Sequence, residues 1–368
     1  MLKWRWRNSW CRVIGDCVID KHYTMKTNLF ILLAFLLLAV CPKADAQKQP
    51  YAVVFYNLEN LFDTIPSPGV FDREFTPGGS KVWNSSKYWK KIGNIEQVFF
   101  EIAKTVKSYP AVIGVCELEN RNVLEDVVAA PKLAKANYDI VHYDSPDARG
   151  VDVALLYRPD MFKVEGSKSL RVTLPEQPDF KTRDVLMVWG LMGGERFCFF
   201  VNHWPSRLGG QAASESKRVE AAKVVRRAVD SISGVYPDMK VVIMGDLNDD
   251  PVCRSLTEGL GAKGKPSEVK AGDLFNPYVA MFKAGYGTLA YQDGWNLFDN
   301  MVVNENLLNA SSGKLKLRKH GKFYGYIFDR PFLHQQSGRY KGYPLRTFVG
   351  DTFQGGYSDH FPVYLLIE

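Results

Sequence analysis

Short apolar, β-branched runs recur at residues 52–56, 111–115, 153–157, 185–189, 197–201, 241–244, 301–303 and 363–367. Each is long enough for a strand and too short for a helix. Residues 89–107 and 214–232 instead return an apolar side chain every three or four positions, the spacing of an amphipathic helix. Strands with such helices between them can bury their apolar faces only as sheets covered by helices. No repeat or low-complexity linker divides the chain, and residues 64–80, rich in Pro and Gly, read as one long loop. The expectation is a single α/β domain over residues 47–368, with a two-layered core of mixed sheets. Composition agrees: 46% apolar and 24% charged residues match ordinary globular proteins and exclude disordered, collagen-like, heptad-built and multi-pass membrane chains.

The N-terminal segment has a different character. Met25-Lys26 opens a basic stretch, residues 29–40 form an unbroken apolar run of twelve, and Ala44-Asp45-Ala46 supplies small residues where a signal peptidase cuts. A membrane-spanning helix needs about twenty apolar residues, so a cleavable export signal is preferred. Translation is expected to start at Met25, with cleavage after Ala46, making residues 1–46 an upstream extension plus signal peptide. The mature protein would be periplasmic or secreted. Lipid anchoring through Cys41 is the weaker alternative, because Val40 precedes it where a small residue is required. Cys116, Cys198 and Cys253 would remain, and an odd number, with two inside apolar runs, reads as buried free thiols. Of the net charge of +7, residues 1–46 carry seven basic and three acidic groups. The rest is therefore only mildly basic, compatible with a phosphate-bearing substrate without arguing for one.

Polar residues sit where these runs end. Asn57 follows residues 52–56, Glu117 follows 111–116, Asn202-His203 follows 197–201, Asp246 and Asn248 follow 241–244, and Ser358-Asp359-His360 precedes 363–367. α/β sheets gather ligand groups at the C-terminal ends of their strands. If the strands are neighbours, one edge presents carboxylates, carboxamides and imidazoles. Hard oxygen donors without thiolates favour Mg²⁺, Mn²⁺ or Ca²⁺ over structural zinc.

The motifs Tyr56-Asn57-Leu58-Glu59-Asn60, Val115-Cys116-Glu117-Leu118-Glu119-Asn120, Arg149-Gly150-Val151-Asp152, Asn202-His203-Trp204-Pro205-Ser206-Arg207, Gly245-Asp246-Leu247-Asn248-Asp249 and Ser358-Asp359-His360 occur in one order. Together they resemble the endonuclease/exonuclease/phosphatase superfamily, which includes the DNase I-like nucleases, over residues 51–368. The Asn-His-Trp-Pro-Ser-Arg and Tyr-Asn-x-Glu-Asn-Leu-Phe-Asp wording resembles exported bacterial members. The resemblance implies a four-layered α/β sandwich with two mixed sheets flanked by helices. It implies that Glu117, with Asn57 and Asp359, holds Mg²⁺, and that Asn57 also orients the phosphate. His203 would face the phosphate, and Asp246 and Asn248 would point at the substrate. His360 would activate water once oriented by an Asp from an earlier strand. Asp299, a charge interrupting an apolar strand, is preferred over Asp293 and Asp329.

Softer assignments stay open. Arg149 either binds phosphate or makes a loop salt bridge, and Asp152 either orients His203 or does not. Asn202 and Arg207 are candidate substrate contacts, Arg207 through a Gly-rich helix entry that is otherwise a plain loop. Glu119 is read as surface. The function expected is an exported, divalent-metal-dependent phosphodiesterase, monomeric and without stable membrane association, whose preferred substrate is nucleic acid. A phosphatase or lipid phosphodiesterase acting on inositol phosphates or sphingomyelin is the alternative, and a non-catalytic binding module is a third. The nuclease preference rests on two features: no apolar docking stretch outside the leader, and the basic residues 314–322, which either track a phosphate backbone or form a Lys-protected edge strand.

Overall fold

The computed structural model describes residues 49–368, so the expectations about Met25, Cys41 and cleavage after Ala46 lie outside the described residues. The chain opens with β1 (Tyr51–Leu61), α1 (Ser85–Val106), β2 (Val112–Leu118), α2 (Arg121–Ala129), β3 (Asp139–His142) and β4 (Asp152–Tyr157). The hairpin strands β5 (Phe162–Leu170), β6 (Val185–Met192) and β7 (Glu195–His203) follow, then α3 (Gln211–Val235) and β8 (Lys240–Asp246). Short strands β9 (Ala262–Lys263) and β10 (Leu274–Phe275) precede the hairpin β11 (Leu289–Tyr291) and β12 (Gly294–Asn296). The chain ends with β13 (Asp299–Asn304), β14 (Gly325–Ile327), the small hairpin β15 (Phe348–Val349) and β16 (Thr352–Phe353), and β17 (Val363–Ile367).

The strands form a six-stranded sheet ordered β14-β17-β1-β2-β4-β3 and a seven-stranded sheet ordered β5-β6-β7-β8-β13-β10-β9. Period-two alternation distributes the side chains. On β1, Ala52, Val54, Tyr56 and Leu58 join the core formed with Ile92, Ile95, Phe99 and Ile102 of α1, whereas Val53 and Phe55 join Phe197, Phe199, Val242 and Met244 between the sheets. On the other face of the second sheet, Cys198, Phe200, Val241 and Ile243 pack with Ala221, Ala222, Val225 and Val229 of α3. Burying such aliphatic and aromatic groups contributes about 1.5–3 kcal/mol each. Helix, sheet, sheet and helix thus make the four-layered sandwich, as the patterning requires. Gly114 lets the sheets approach, since a Cβ there would come 2.5 Å from Met244 Sδ. Cys116 and Cys198 are buried free thiols.

Two features escape the apolar runs. Strand β5 reads Phe-Lys-Val-Glu-Gly-Ser-Lys-Ser-Leu, largely polar because it closes one edge of its sheet. The basic residues 314–322 do not line the site. Leu317 bridges to Ile367, and the Lys316 and Arg318 N–H groups donate to Glu368 and Leu366 carbonyls at 2.9 and 2.8 Å, so this segment protects the edge of β17 at the end remote from His360. Among the described residues no helix is long and apolar enough to cross a membrane.

Candidate active site

β1 runs parallel to β2 in one sheet, and β7 parallel to β8 in the other. Asn57, Glu117, His203 and Asp246 therefore stand at or beside strand C-termini along one edge of the sandwich. β13 is antiparallel to β8 and begins at that edge, pairing Asp299 with Asp246. β17 is antiparallel to β1, so the preceding Ser358-Asp359-His360 arrives there too.

Local irregularities aim the side chains. β2 bulges at Glu117: Cys116 pairs with Val153 and Leu118 with Asp152, leaving Glu117 between them at φ 58°. Pairing of β1 with β2 also slips between Asn57 and Leu61, with Glu59 at φ 50° and Asn60 at φ 53°, and Asn60 N–H donates to Glu117 Oε2 at 3.1 Å. Left-handed conformations at non-glycine residues cost about 1–3 kcal/mol each and persist where the surroundings over-determine them. After β8, Asn248 at φ 51° folds back so that its N–H donates to Asp246 Oδ1 at 3.0 Å and its Nδ2 to the Trp204 carbonyl at 3.0 Å. Gly245, just before this turn, lets β7 and β8 lie close together, because a Cβ there would meet the Asn202 carbonyl oxygen at 2.4 Å.

At the centre, His360 Nδ1 donates to Asp299 Oδ2 at 2.7 Å, and Nε2 lies 3.8 Å from Asp246 Oδ2 and 3.9 Å from Asp359 Oδ1. His203 Nε2 is 3.7 Å from Glu117 Oε1 and 3.8 Å from Asp246 Oδ2. Ser358 Oγ donates to the Asn57 carbonyl at 2.8 Å and accepts His360 N–H at 3.1 Å, tying the His360 segment to β1. Asp293 and Asp329 are excluded as partners of His360: Asp293 accepts Tyr343 Oη–H at 2.6 Å, and Asp329 pairs with His334.

The electrostatics divide the two imidazoles. Burial disfavours the charged form of His360, but Asp299 and Asp246, then Asp359, outweigh it and hold this imidazole well above its ordinary value. His203 goes well below, through burial first and then the charges of Arg183 and Arg149, so it is neutral near pH 7. Burial pushes Asp246 up to about 6, with Asp299 and Glu117 adding to the rise and His360 opposing it. Glu117, His203 and Asp246 each offer a ligand atom, all within 4.8 Å of one another. Crowded, buried carboxylates with hard oxygens fit a divalent cation. His203 Nδ1 is buried without a hydrogen-bond partner.

Several expected residues play other parts. Asn57 donates from Nδ2 to Asp246 Oδ2 at 3.0 Å and accepts Glu59 N–H on Oδ1 at 2.8 Å, so it orients a carboxylate instead of presenting a free oxygen as a ligand. Asp359 pairs with Arg346 and stands outside the Glu117–His203–Asp246 group. Asp152 does not orient His203; its carboxylate accepts from His142 Nε2 at 2.9 Å and Ser145 N–H at 2.8 Å. Arg149 is half exposed on the rim, 3.4 Å from Asp147 Oδ1, although its charge reaches His203. Arg207 is not held out for an anion: it pairs with Asp249 and Asp250 at 3.2 and 3.1 Å, donates to the Asn248 carbonyl at 3.0 Å and covers the Phe298 ring. Glu119 is buried rather than on the surface, accepting Asp63 N–H at 2.8 Å and Ser67 Oγ–H at 2.7 Å.

Asn202 is fully buried, donating to the Phe200 and Met244 carbonyls at 3.2 and 3.1 Å and accepting Trp204 Nε1–H at 3.1 Å. Both its amide atoms are engaged within the frame. Asn202→Ala strands a buried indole N–H, which costs about 1–3 kcal/mol. Calorimetry is expected to show a melting temperature lower by about 2–4 °C per kcal/mol, with KM unchanged. A raised KM at constant melting temperature would return Asn202 to the substrate.

Other supporting residues carry little sequence signal. Arg183 donates to the His203 and Trp204 carbonyls at 3.1 and 2.6 Å and pairs with Asp147 at 3.0 Å, fixing the backbone under His203. Lys91 is fully buried, donating to Thr347 Oγ1 at 2.6 Å and the Tyr357 carbonyl at 2.7 Å, 3.9 Å from Glu59. Lys91 alone was detectable in principle, as a cation on the apolar stripe of α1 beside Tyr88, Ile92 and Ile95.

A search of curated proteins returns no match. Among solved structures, the chain is similar to D. rerio TDP2 complexed with a single-strand DNA product, with 12% identity, a TM-score of 0.51 and coverage of 87% of this chain and 100% of that one. It is also similar to a functionally unknown conserved protein from Enterococcus faecalis, with 13% identity, a TM-score of 0.50 and coverage of 86% and 99%. A mannosyl-6-phosphatase from Bacteroides thetaiotaomicron follows at 17% identity, a TM-score of 0.49 and coverage of 86% and 99%. Residues 52–368 match the family model described as Endonuclease/Exonuclease/phosphatase family, whose members are hydrolases of phosphoester bonds and generally depend on divalent metals. With a match that takes in both sheets and every residue of the cluster around His360, the chain belongs to the endonuclease/exonuclease/phosphatase family.

Proposed function

We propose that this protein is an exported, divalent-metal-dependent phosphodiesterase that hydrolyses nucleic acid. The observation that carries this reading is the buried Asp299–His360 pair, whose Nε2 points across the gap between the sheets toward Asp246, with Glu117 and His203 on its far side. An imidazole with one nitrogen locked by a carboxylate and the other facing a polar gap is arranged to take a proton from water. Asp299 fixes the tautomer. Glu117 and Asp246 are the residues that would hold the cation, kept in place by Asn60 N–H and by Asn57 and Asn248. Bound there, Mg²⁺ or Mn²⁺ would polarise a phosphoryl oxygen and offset charge developing in the transition state. Neutral His203 supplies a hydrogen bond to the same oxygens without adding a competing positive charge, and Arg149 adds its charge from the rim.

The floor of the site, with Asn57, His203, Asp246 and His360 buried there, is polar and suits a phosphate group. The TDP2 structure with a DNA product shows that an enzyme of this fold accommodates a strand. Export is proposed on the basic, apolar and small-residue order of residues 25–46. One experiment tests the whole: the full chain is expressed in a bacterium, recovered from periplasm or medium, and assayed with Mg²⁺ or EDTA on single-stranded DNA, duplex DNA, RNA, inositol phosphates and sphingomyelin. The expected result is a protein beginning at Gln47 that cleaves nucleic acid only with metal. Hydrolysis of inositol phosphates or sphingomyelin with nucleic acid untouched would overturn the nuclease reading, and retention of residues 25–46 in the cytosol would overturn export.

A further inference from the structure

Beside the catalytic cluster lies a cavity of about 440 Å³ whose lining includes Tyr291, Tyr340, Tyr343, Arg339, Arg346 and Asp359. Its size falls in the range of small-molecule sites. Asp359 and Arg346 form the boundary shared with the active site: Asp359 Oδ1 is 3.9 Å from His360 Nε2, and Arg346 pairs with Asp359. A group held in the cavity is thus adjacent to a phosphate at His360.

The walls are built and fixed. One is the β11–β12 hairpin, turning through Gln292 at φ 49° and Asp293 at φ 63°, the two consecutive positive φ values of a tight hairpin turn. The other is the loop of residues 334–345, closed by Gln335 N–H to the Tyr343 carbonyl at 2.8 Å and Gly342 N–H to the Gln335 carbonyl at 2.9 Å. Tyr343 Oη donates to Asp293 across the two walls at 2.6 Å. Trp295 stacks on Phe361, the residue after His360, with ring centroids 6.0 Å apart and planes at 23°, and its other neighbour is Tyr343 at 6.0 Å. The aromatic lining is therefore continuous with the catalytic segment.

What the lining offers is flat and mostly uncharged. Tyr291 is 67% exposed and Tyr340 44%, and the Tyr340 ring lies 5.6 Å from that of Tyr343 at 44°. Gln292, Gln335 and Gln354 supply amide donors and acceptors, the Asp293 carboxylate is engaged by Tyr343, and Arg339 makes no ion pair among the described residues while lying 5.8 Å from the Tyr340 ring. Aromatic faces with a nearby Arg are how single-stranded nucleic acid is gripped, because every base has a π-face. The edge amides suit base heteroatoms. A base paired in a duplex cannot enter a cavity walled on two sides; an unpaired one can.

We propose that this cavity is a base-stacking subsite in which Tyr291 and Tyr340 hold an unpaired nucleobase next to the phosphodiester at His360, so that the enzyme selects single-stranded ends or gaps. The inference rests on the nuclease reading and narrows it. The test compares wild type, Tyr291→Ala, Tyr340→Ala and Tyr340→Phe on single-stranded oligonucleotides and on abasic oligomers with the same sugar-phosphate chain. Wild type is expected to show a KM for the base-bearing strand about tenfold or more below that for the abasic one, the worth of one stack. The two Ala variants are expected to lose that preference, and Tyr340→Phe to keep it. Equal KM values for base-bearing and abasic strands in wild type, or a preference untouched by both Ala changes, would overturn the subsite while leaving the nuclease reading standing. Failure of wild type to cleave any oligonucleotide would overturn both. Both tyrosines are exposed, and circular dichroism of the variants checks their folding.

Discussion

Replacing His360 by Ala is expected to lower kcat by about 10²–10⁴-fold, the usual worth of a positioned general base. Asp299→Ala should fall in the same direction, and the double variant should be little worse than His360→Ala alone, because residues that act as one unit do not lose activity multiplicatively. The geometry supports the unit: Asp299 Oδ2 accepts His360 Nδ1–H at 2.7 Å, in register beside Asp246 and out of water. A pH profile adds a readout that a purely structural role would not move. His360 must be neutral to accept a proton, and in the folded protein Asp299 and Asp246 hold its pKa well above the ordinary value despite burial. Activity should therefore rise with pH on a limb above about 6.5, the unperturbed value. Asp299→Asn removes a raising charge, so the limb should shift to lower pH even as the maximum rate drops. Independent, multiplicative losses with an unmoved limb would separate Asp299 from the reaction.

The second large effect concerns the cation. EDTA should abolish activity and Mg²⁺ or Mn²⁺ restore it, and Glu117→Gln should cost about 10²-fold or more in kcat/KM, the several kcal/mol a metal supplies to transition-state charge. Melting temperature gives an activity-free check. With wild type, added cation should raise it, by about 2.7 kcal/mol of stabilisation at a hundredfold excess over Kd. In EDTA the order should reverse, with Glu117→Gln at least as stable as wild type, because it relieves repulsion against Asp246, whose carboxyl is already pushed up to about 6 by burial and by its neighbours Asp299 and Glu117. A Glu117→Gln protein with full, chelator-insensitive activity and an unaltered melting response would remove Glu117 from the metal site.

The sequence by itself determined the layers and the roster. Apolar runs of strand length, each followed by a polar residue, admit little besides covered sheets with chemistry at strand ends, and β1, β2, β7, β8 and β17 are where those runs lie. Asn57, Glu117, His203 and Asp246 were visible because a buried apolar run followed by a carboxylate, amide or imidazole has little structural reason to be so; Asp299 stood out as a charge interrupting an apolar run, and its pairing with His360 was what the family resemblance implied. Tertiary structure alone decided how they share the work. Asp299 and not Asp293 or Asp329 meets His360, because β13 enters antiparallel to β8 at the active edge, a pairing between distant segments that no local pattern encodes. Asp152 turned to His142, Arg207 to Asp249 and Asp250, and Asn202 inward to Trp204, because buried polar groups must be satisfied and the nearest partners became neighbours only on folding. The basic residues 314–322 went to the remote end of β17 for the same reason: sequence gives their charge, but only strand register gives their distance from His360.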